Sequence, residues 1–269
     1  MTGIATFSMA GFDGVALKPT EVDLDRVSLD GVERAVVDYE GRERVPSSER
    51  LADLAQGTDL RVTTPVRADG FDPLGDDRLA ARLPPNVGRV VVAGNPAYLS
   101  ANERSRAIAP RLGAARERSP GAWVGTEGVE RIALAAGGTQ FELLEPTTLR
   151  EVRALRAAGF EGEIAVYAPV VFSEDEDVLL DALGGYVSRR GSVAASLDAA
   201  ADTSGAAADG TATDATATGR SRSVLLSAIE GFALAGPPET VDERVDELRA
   251  AGVDVLVGYP ARGPTAFGH

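Results

Sequence analysis

Short runs of apolar residues recur along the chain, and most of them are followed by a helix-like segment. The runs are rich in Val, Ala and aromatic residues with few polar interruptions, which is typical of parallel strands buried on both faces. Eight such runs are found, at residues 12–17, 34–39, 60–66, 88–94, 122–126, 139–144, 163–171 and 253–259. Because strands that alternate with helices form right-handed βαβ units, the pattern predicts an α/β fold, a single-domain (β/α)8 TIM barrel over residues 1–269.

The last helix of this pattern is delimited by signals at both ends. Pro237 precedes its first turn, and Gly252 stands where a left-handed C-terminal cap is expected. Between them, Val241, Val245 and Leu248 fall at helical spacing and predict one apolar face. A helix of this kind, directly before the eighth strand, completes the barrel pattern.

One segment interrupts the alternation of strands and helices. Residues 198–222 consist mainly of Ala, Thr, Asp and Gly, with almost no bulky apolar side chain. Such a composition cannot offset the entropy lost on ordering. We therefore predict a flexible low-complexity insertion, lying between helices at 174–190 and 223–233 and ahead of strand eight.

The composition excludes several classes of function. The chain has no Cys, and its one His is the last residue, His269, which argues against disulfide scaffolds, metal sites and His-based catalytic triads. Its 41 Asp and Glu against 27 Lys and Arg give a net charge of −14, which repels nucleic-acid backbones. No apolar run reaches the roughly 18–20 residues that span a bilayer, and no signal-peptide pattern opens the chain. We expect a cytoplasmic protein that binds neither nucleic acid nor membranes.

The charged residues also suggest the environment of the protein. Of the 27 Lys and Arg residues, only Lys18 is a lysine, and acidic residues are in excess. This style is typical of salt-loving archaea, where molar salt shortens the Debye length to about 3 Å and screens repulsion among carboxylates. A cluster of acidic residues in such a chain is therefore weak evidence for a functional site.

Functional residues of a (β/α)8 barrel gather just after the strand C-termini. Lys18 follows the first predicted strand, and a lysine there can act as a Schiff-base nucleophile or as a point-charge ligand for an anion. The alternatives are an ordinary surface lysine or one that pairs with Glu40.

Other positions after the strands suggest weaker candidates. The turn Gly125-Thr126-Glu127-Gly128 opens a helix, and its backbone N–H groups are candidates to receive a phosphate or carboxylate. Arg262 and Gly263 follow strand eight, where barrels often hold phosphate, although a salt bridge explains Arg262 equally well. Two further patterns are a permitted cis bond at Thr64–Pro65 and a glycosidase-like acid pair of Glu127 with Glu145.

Two stretches of the chain resemble a known family. GAWVGTEGVERIALAAGG, with EIAVYAPVVFSEDED after it, and ALAGPPETVDERVDELRAAGVDVLVGYPARGP resemble the luciferase-like superfamily, closest to its archaeal methylenetetrahydromethanopterin reductase branch. The resemblance covers residues 121–190 and 232–264. It implies a (β/α)8 barrel that binds F420 or FMN at the strand C-termini and transfers hydride to or from a small-molecule substrate, and it implies a homodimer.

The resemblance also implies roles for individual residues. It makes the turn that contains Glu127 a cofactor-contacting turn. Together with the position of Lys18 after the first strand, this makes Lys18 and Glu127 the catalytic candidates, with Glu127 near the reacting ring and Lys18 as an anion ligand or proton donor. The implied cofactor contacts are Gly125, Thr126, Gly128, Gly258, Tyr259 and Pro260, with Arg67 and Arg262 as anchors of the anionic tail. Thr64 and Gly263 join them as candidate cofactor contacts because of their positions at the ends of strands three and eight. No metal ligand is implied.

Two alternatives to a flavin-type oxidoreductase remain open. After the second strand this chain has VDYEGRE, where many relatives have an acid–His pair. If this departure means that the cofactor has been lost, the barrel is either a non-catalytic paralogue that acts as a binding protein, or a cofactor-independent enzyme. In the second case Lys18 is the Schiff-base nucleophile, with Glu40 or Glu127 as its proton shuttle.

Overall fold

The computed structural model describes residues 11–66, 78–94, 107–204 and 212–261. Its strands are β1 (Gly14–Leu17), β2 (Arg34–Val37), β3 (Asp59–Pro65), β4 (Gly88–Val92), β5 (Trp123–Gly125), β6 (Gln140–Leu143), β7 (Ile164–Phe172), β8 (Leu234–Gly236) and β9 (Val255–Pro260). Its helices are α1 (Ser48–Leu54), α2 (Ile108–Arg118), α3 (Glu130–Ala136), α4 (Thr148–Ala157), α5 (Glu176–Leu179), a π-helix (Leu180–Gly184), α6 (Gly185–Val187), α7 (Gly191–Ser204), α8 (Gly219–Phe232) and α9 (Pro238–Ala251). Two 3₁₀ turns lie at Arg42–Arg44 and Ala80–Arg82.

Eight of the strands close into a parallel barrel. β1 to β7 pair in chain order, β7 pairs with β9, and β9 returns to β1. The register places Val15 beside Ala35 of β2 and beside Gly258 of β9, so β1 is paired on both sides as a closed barrel requires. The predicted single-domain (β/α)8 barrel is confirmed.

The short strand β8 is absent from the sequence-based prediction. It pairs with Val170–Phe172 of β7, beyond the residues of β7 that pair with β6. The three residues follow α8 directly, so the sequence pattern gave no break between the helix and the strand. Runs this short carry too little periodicity to be separated from a helix end.

The predicted insertion at residues 198–222 is helical at both ends. α7 extends to Ser204 and α8 begins at Gly219, while residues 205–211 lie outside the described part of the chain. Ala is the strongest helix former, and Val193 and Leu225 bury one face of each helix in a shared cluster. The two helices therefore extend into the ends of the predicted insertion, and its flexibility stays a prediction.

A column of aromatic side chains fills the barrel interior. Trp123 contacts Phe141 with ring centroids 5.7 Å apart, Phe141 meets Tyr167 edge-on at 6.0 Å, and Tyr167 stacks on Tyr259 at 6.1 Å. The four side chains are 2 to 5% exposed, so the barrel has a packed core. Any ligand site must therefore lie above this column, at the strand C-termini.

The opposite end of the barrel is closed by charged residues around Trp123. The guanidinium groups of Arg34 and Arg61 lie 5.4 and 4.3 Å from the Trp123 ring centroid. Both pair with Asp59, at 3.0 and 3.2 Å. This end is a stabilising plug, as expected for the N-terminal face of such barrels.

Two further sequence-based points concern the backbone and the helices. Every peptide bond in the described ranges is trans, so Thr64–Pro65 does not use the permitted cis form. Among the described helices, none has the length and apolar character needed to cross a membrane.

Candidate active site

The C-terminal ends of β1 and β2 bring a lysine beside an aspartate. Lys18 follows Leu17, Asp38 follows Val37, and these two strand residues are register partners. The Asp38 N–H donates to the Leu17 carbonyl over 2.9 Å, which continues the ladder one step beyond the strands. We call the region around this pair the mouth, and its residues are Lys18, Glu21, Asp38, Glu40, Tyr167, Tyr186 and Tyr259.

The Lys18 amine lies over aromatic rings and not against a carboxylate. Its Nζ is 3.6 Å from the Tyr259 ring centroid and 5.8 Å from that of Tyr186. Within the described ranges no carboxylate oxygen lies within 4.0 Å of Nζ. Glu40 instead accepts hydrogen bonds from the Thr20 N–H and hydroxyl, at 2.7 and 2.6 Å. The alternative that Lys18 pairs with Glu40 is therefore wrong.

Burial and charge act on Lys18 in opposite directions. Removal from water lowers the pKa of the amine, because it disfavours the charged form, and this is the largest influence. Asp38, Glu21 and Glu40 act against it, while Arg189 adds to it. The pKa of Lys18 lies below its ordinary value as a result.

Asp38 and Tyr167 form a carboxyl–phenol pair beside Lys18. The Tyr167 hydroxyl donates to Asp38 Oδ2 over 3.0 Å. Burial raises the pKa of Asp38 to about 6, although Lys18 and the Tyr167 hydrogen bond favour the carboxylate. The carboxyl group can consequently gain or lose a proton close to neutral pH.

Tyr259 connects the mouth to the loop after β1. Its hydroxyl donates to Glu21, with both carboxylate oxygens at 2.7 Å. Burial and this carboxylate raise the pKa of Tyr259 well above its ordinary value. The phenol stays protonated and its hydroxyl is bonded to Glu21.

Glu127 lies in an ion pair that the sequence did not predict. Its Oε1 is 3.2 Å from Nη1 of Arg190, whose guanidinium lies 4.6 Å from the Tyr186 ring centroid and donates to the Tyr186 hydroxyl. Tyr186 follows the π-helix, a feature often found at functional sites. Glu127 thus acts on the mouth through Arg190 and Tyr186, and the structure does not bring it into direct contact with Lys18.

The turn at Gly125–Gly128 is less open to anions than its sequence suggests. The Gly128 N–H donates to Glu130 Oε1 over 3.0 Å, and the buried Thr126 hydroxyl bonds to the Phe141 carbonyl over 3.3 Å. The turn packs so closely on β4 that a Cβ on Gly94 would lie 2.2 Å from the Glu127 carbonyl oxygen. The N–H of Gly128 is therefore not free for a phosphate or carboxylate, and cofactor contact by Gly125, Thr126 and Gly128 stays a prediction.

Carboxylates surround the outer side of this turn. A small cavity there is lined by Glu127, Glu130, Glu142, Glu145 and Glu151. Burial, helped by the neighbouring glutamates, raises the pKa of Glu142 to about 7. Glu127 and Glu145 do share this cavity, as the acid-pair hypothesis requires, but Arg190 holds Glu127 in an ion pair. No group of His, Cys, Asp or Glu in the described residues is arranged to hold a metal ion.

One of the remaining candidates is buried within a strand, and the other three lie outside the described residues. Thr64 is buried in β3, where its hydroxyl donates to the Val90 carbonyl over 3.3 Å and accepts from Arg89 Nε over 3.1 Å. Arg67, Arg262 and Gly263 lie outside the described residues. Their cofactor roles stay predictions.

The residues that sequence reasoning missed are Asp38, Tyr167, Tyr186 and Arg190. Asp38 directly follows β2, and this position at a strand end was the available signal, whereas Tyr167 lies within β7 and gave none. Tyr186 and Arg190 belong to the segment after β7, and nothing in the sequence indicates that it returns to the mouth.

The chain was compared with known proteins. A family model described as "Family of unknown function (DUF7388)" matches residues 7–267, so the chain belongs to this family. No curated protein sequence matches it significantly. Among solved structures, the chain is similar to an "F420-dependent secondary alcohol dehydrogenase in complex with an F420-acetone adduct", with a TM-score of 0.52, 14% identity and 92% coverage of each chain. At this identity the likeness shows a shared barrel fold.

Proposed function

We propose that this member of the DUF7388 family is a luciferase-like oxidoreductase that transfers a hydride between F420 or FMN and a small-molecule substrate. The observation that carries the proposal is the group of Lys18, Asp38 and Tyr167 at the mouth. These are proton-carrying side chains at the end of the barrel where enzymes of this fold do their chemistry. The shared barrel of an F420-dependent dehydrogenase supports the choice of cofactor as an analogy of fold.

The described mouth fits a cofactor of this type. F420 and FMN both join a flat aromatic ring to an anionic tail. The mouth offers an ammonium group with no carboxylate within 4.0 Å in the described ranges, together with the rings of Tyr186 and Tyr259. Lys18 would hold an anionic or electron-rich group, and Arg67 and Arg262 remain the proposed anchors of the tail. When bound, the ring supplies the hydride donor or acceptor.

The protein's own part in the reaction is to manage a proton. Asp38 holds or accepts a proton at Oδ1 or Oδ2 near neutral pH, and Tyr167 orients the carboxyl group through its 3.0 Å hydrogen bond. The Lys18 ammonium stabilises negative charge that develops on a substrate oxygen. Glu127 positions Tyr186 through Arg190. Few further groups are needed, because the cofactor carries the redox chemistry.

A binding experiment tests the proposal. The protein is purified in molar KCl, which screens its net charge, and is titrated with F420 and with FMN while cofactor fluorescence is recorded. We expect submicromolar binding of one cofactor and weaker binding by Lys18→Met. Glu161→Gln, a change at an exposed residue after α4, is the control and should bind as the unaltered protein does. The proposal is overturned if neither cofactor binds up to high micromolar concentration, a result that favours the non-catalytic barrel.

A further inference from the structure

Lys18 is the only lysine of the chain, and its amine lies over the rings of Tyr186 and Tyr259 and not in an ion pair with a described carboxylate. We propose that Lys18 forms a covalent Schiff base with a small aldehyde or ketone, with Asp38 as the proton source. This activity goes beyond hydride transfer and needs neither F420 nor FMN. It also assigns the proton to Asp38, where the sequence had suggested Glu40 or Glu127.

The contacts at the mouth keep the Lys18 amine out of an ion pair. Glu21 is occupied by the Tyr259 hydroxyl, and Glu40 by the N–H and hydroxyl of Thr20. An amine in an ion pair with a carboxylate is held in its ammonium form, which has no lone pair for nucleophilic attack. At this mouth, Nζ instead rests 3.6 Å from the Tyr259 ring centroid, and no carboxylate oxygen of the described residues lies within 4.0 Å of it.

Burial of Lys18 outweighs the carboxylates that face it and favours some neutral amine. Burial is the largest influence and lowers the pKa of Lys18, and Arg189 before α7 lowers it further. Asp38 from the end of β2, with Glu21 and Glu40 from the adjoining loops, raises it. The faces of Tyr186 and Tyr259 also favour the ammonium. The net direction is downward, and each unit of lowered pKa gives about a tenfold larger neutral fraction well below the pKa.

The carboxyl–phenol pair supplies the proton that Schiff-base formation consumes. The Lys18 lone pair forms the N–C bond while the carbonyl π electrons move to oxygen, and a proton passes from nitrogen to that oxygen. Asp38 then protonates the hydroxyl, which leaves as water as the nitrogen lone pair forms the C=N bond. The products are a protonated imine, water and the Asp38 carboxylate, which stays beside the new positive charge. Tyr167 holds the carboxyl group in place at 3.0 Å.

Borohydride trapping tests the proposal on the intact protein without cofactor. Glycolaldehyde, acetone and pyruvate serve as separate probes, and trapping adds the mass of the probe less one oxygen atom. Because Lys18 is the sole lysine, the chain α-amine is the other primary amine and acts as an internal standard. We expect the ratio of Lys18 to α-amine labelling to be about tenfold or more higher in folded than in denatured protein for at least one probe.

Matched variants separate the chemistry from the fold. Lys18→Arg should lose the Lys18 adduct, since arginine does not deprotonate. Asp38→Asn should slow trapping about tenfold or more, and Tyr167→Phe should shift its pH profile. The proposal is overturned if the folded-to-denatured labelling ratio stays near one for all three probes. Since the assay contains no F420 or FMN, this failure is distinct from a failure of cofactor binding.

Discussion

The Tyr167 hydroxyl donates a hydrogen bond to Asp38 Oδ2 over 3.0 Å and so links β7 to the end of β2 across the barrel. The two residues are 129 positions apart in the chain. Tyr167 is also part of the aromatic column, where it stacks on Tyr259. The protonation of Asp38 is therefore coupled to the packing of the barrel interior.

Replacing Asp38 by Asn should stabilise the protein at neutral pH. The pKa of Asp38 is raised from 3.8 to about 6, so the folded state holds the proton more tightly than the unfolded state does. Stability from this group is then fully present below about pH 4 and is lost as the pH rises through 6. Asp38→Asn should add about 1–3 kcal/mol at pH 7.5 and little at pH 4, measured by chemical denaturation at constant KCl. An equal effect at both pH values would contradict the argument.

Replacing Glu142 by Gln should also stabilise the protein, and this gain should appear at a higher pH than the gain from Asp38→Asn. Its pKa is raised to about 7 by burial and by Glu151, Glu130 and Glu145, so ionisation costs stability as the pH rises through 7. Glu142→Gln should gain about 2 kcal/mol at pH 8.5 and much less at pH 5. Glu161→Gln removes the same charge from an exposed position and should change the unfolding free energy little at either pH. Equal gains in the two variants would point to net charge alone.

Two neighbouring glycines should respond in opposite ways to alanine. A Cβ on Gly184 would lie 1.9 Å from the Thr213 carbonyl oxygen, whereas a Cβ on Gly185 meets nothing within 4 Å. Both residues have right-handed helical backbone angles. Gly184→Ala should cost about 1–3 kcal/mol by forcing the segment at Thr213 away from the π-helix. Gly185→Ala should gain about 0.5–1 kcal/mol in thermal unfolding. A stable Gly184→Ala variant would show that the two segments do not pack this closely.

The Arg190–Glu127 ion pair should show coupling in a double-mutant cycle. The side chains are only 12% and 27% exposed, so loss of the arginine leaves a poorly solvated carboxylate. We expect Arg190→Met to cost about 2 kcal/mol and the coupling with Glu127→Gln to be about 1 kcal/mol or more. Urea denaturation of the two single variants and the double variant measures both values. Strict additivity would mean that the pair contributes nothing.

The barrel can be predicted from the sequence because each of its strands is marked by its own run of apolar residues. The runs containing Val36 and Val91 are nearly all apolar, and each is buried as the pattern requires. Leu234–Gly236 was missed because three residues that follow a helix show no period of their own. Residues 198–204 were missed as helix because they lack bulky apolar side chains at helical spacing, whereas the part of α7 that packs in a cluster with α8 lies before them, at Val193 and Leu197.

Only those residues of the candidate site could be predicted whose position after a strand was sufficient to identify them. Lys18 was identified because it is the sole lysine and follows a strand. The partners that define its chemistry, Asp38 and Tyr167, come from two distant strands, and no spacing in the sequence shows that they meet. Glu127 was placed near the reacting ring because it belongs to the turn after β5, and nothing in the sequence indicates that Arg190 returns to pair with it.

The closed end of the barrel contains the only tryptophan of the chain, Trp123, between Arg34 and Arg61. Phe141, Tyr167 and Tyr259 separate it from the Lys18 amine. A single indole fluorophore thus reports on the packing of the closed end of the barrel, opposite the Lys18 amine. Its emission maximum can reveal whether a variant altered at the mouth is still folded before any ligand is added.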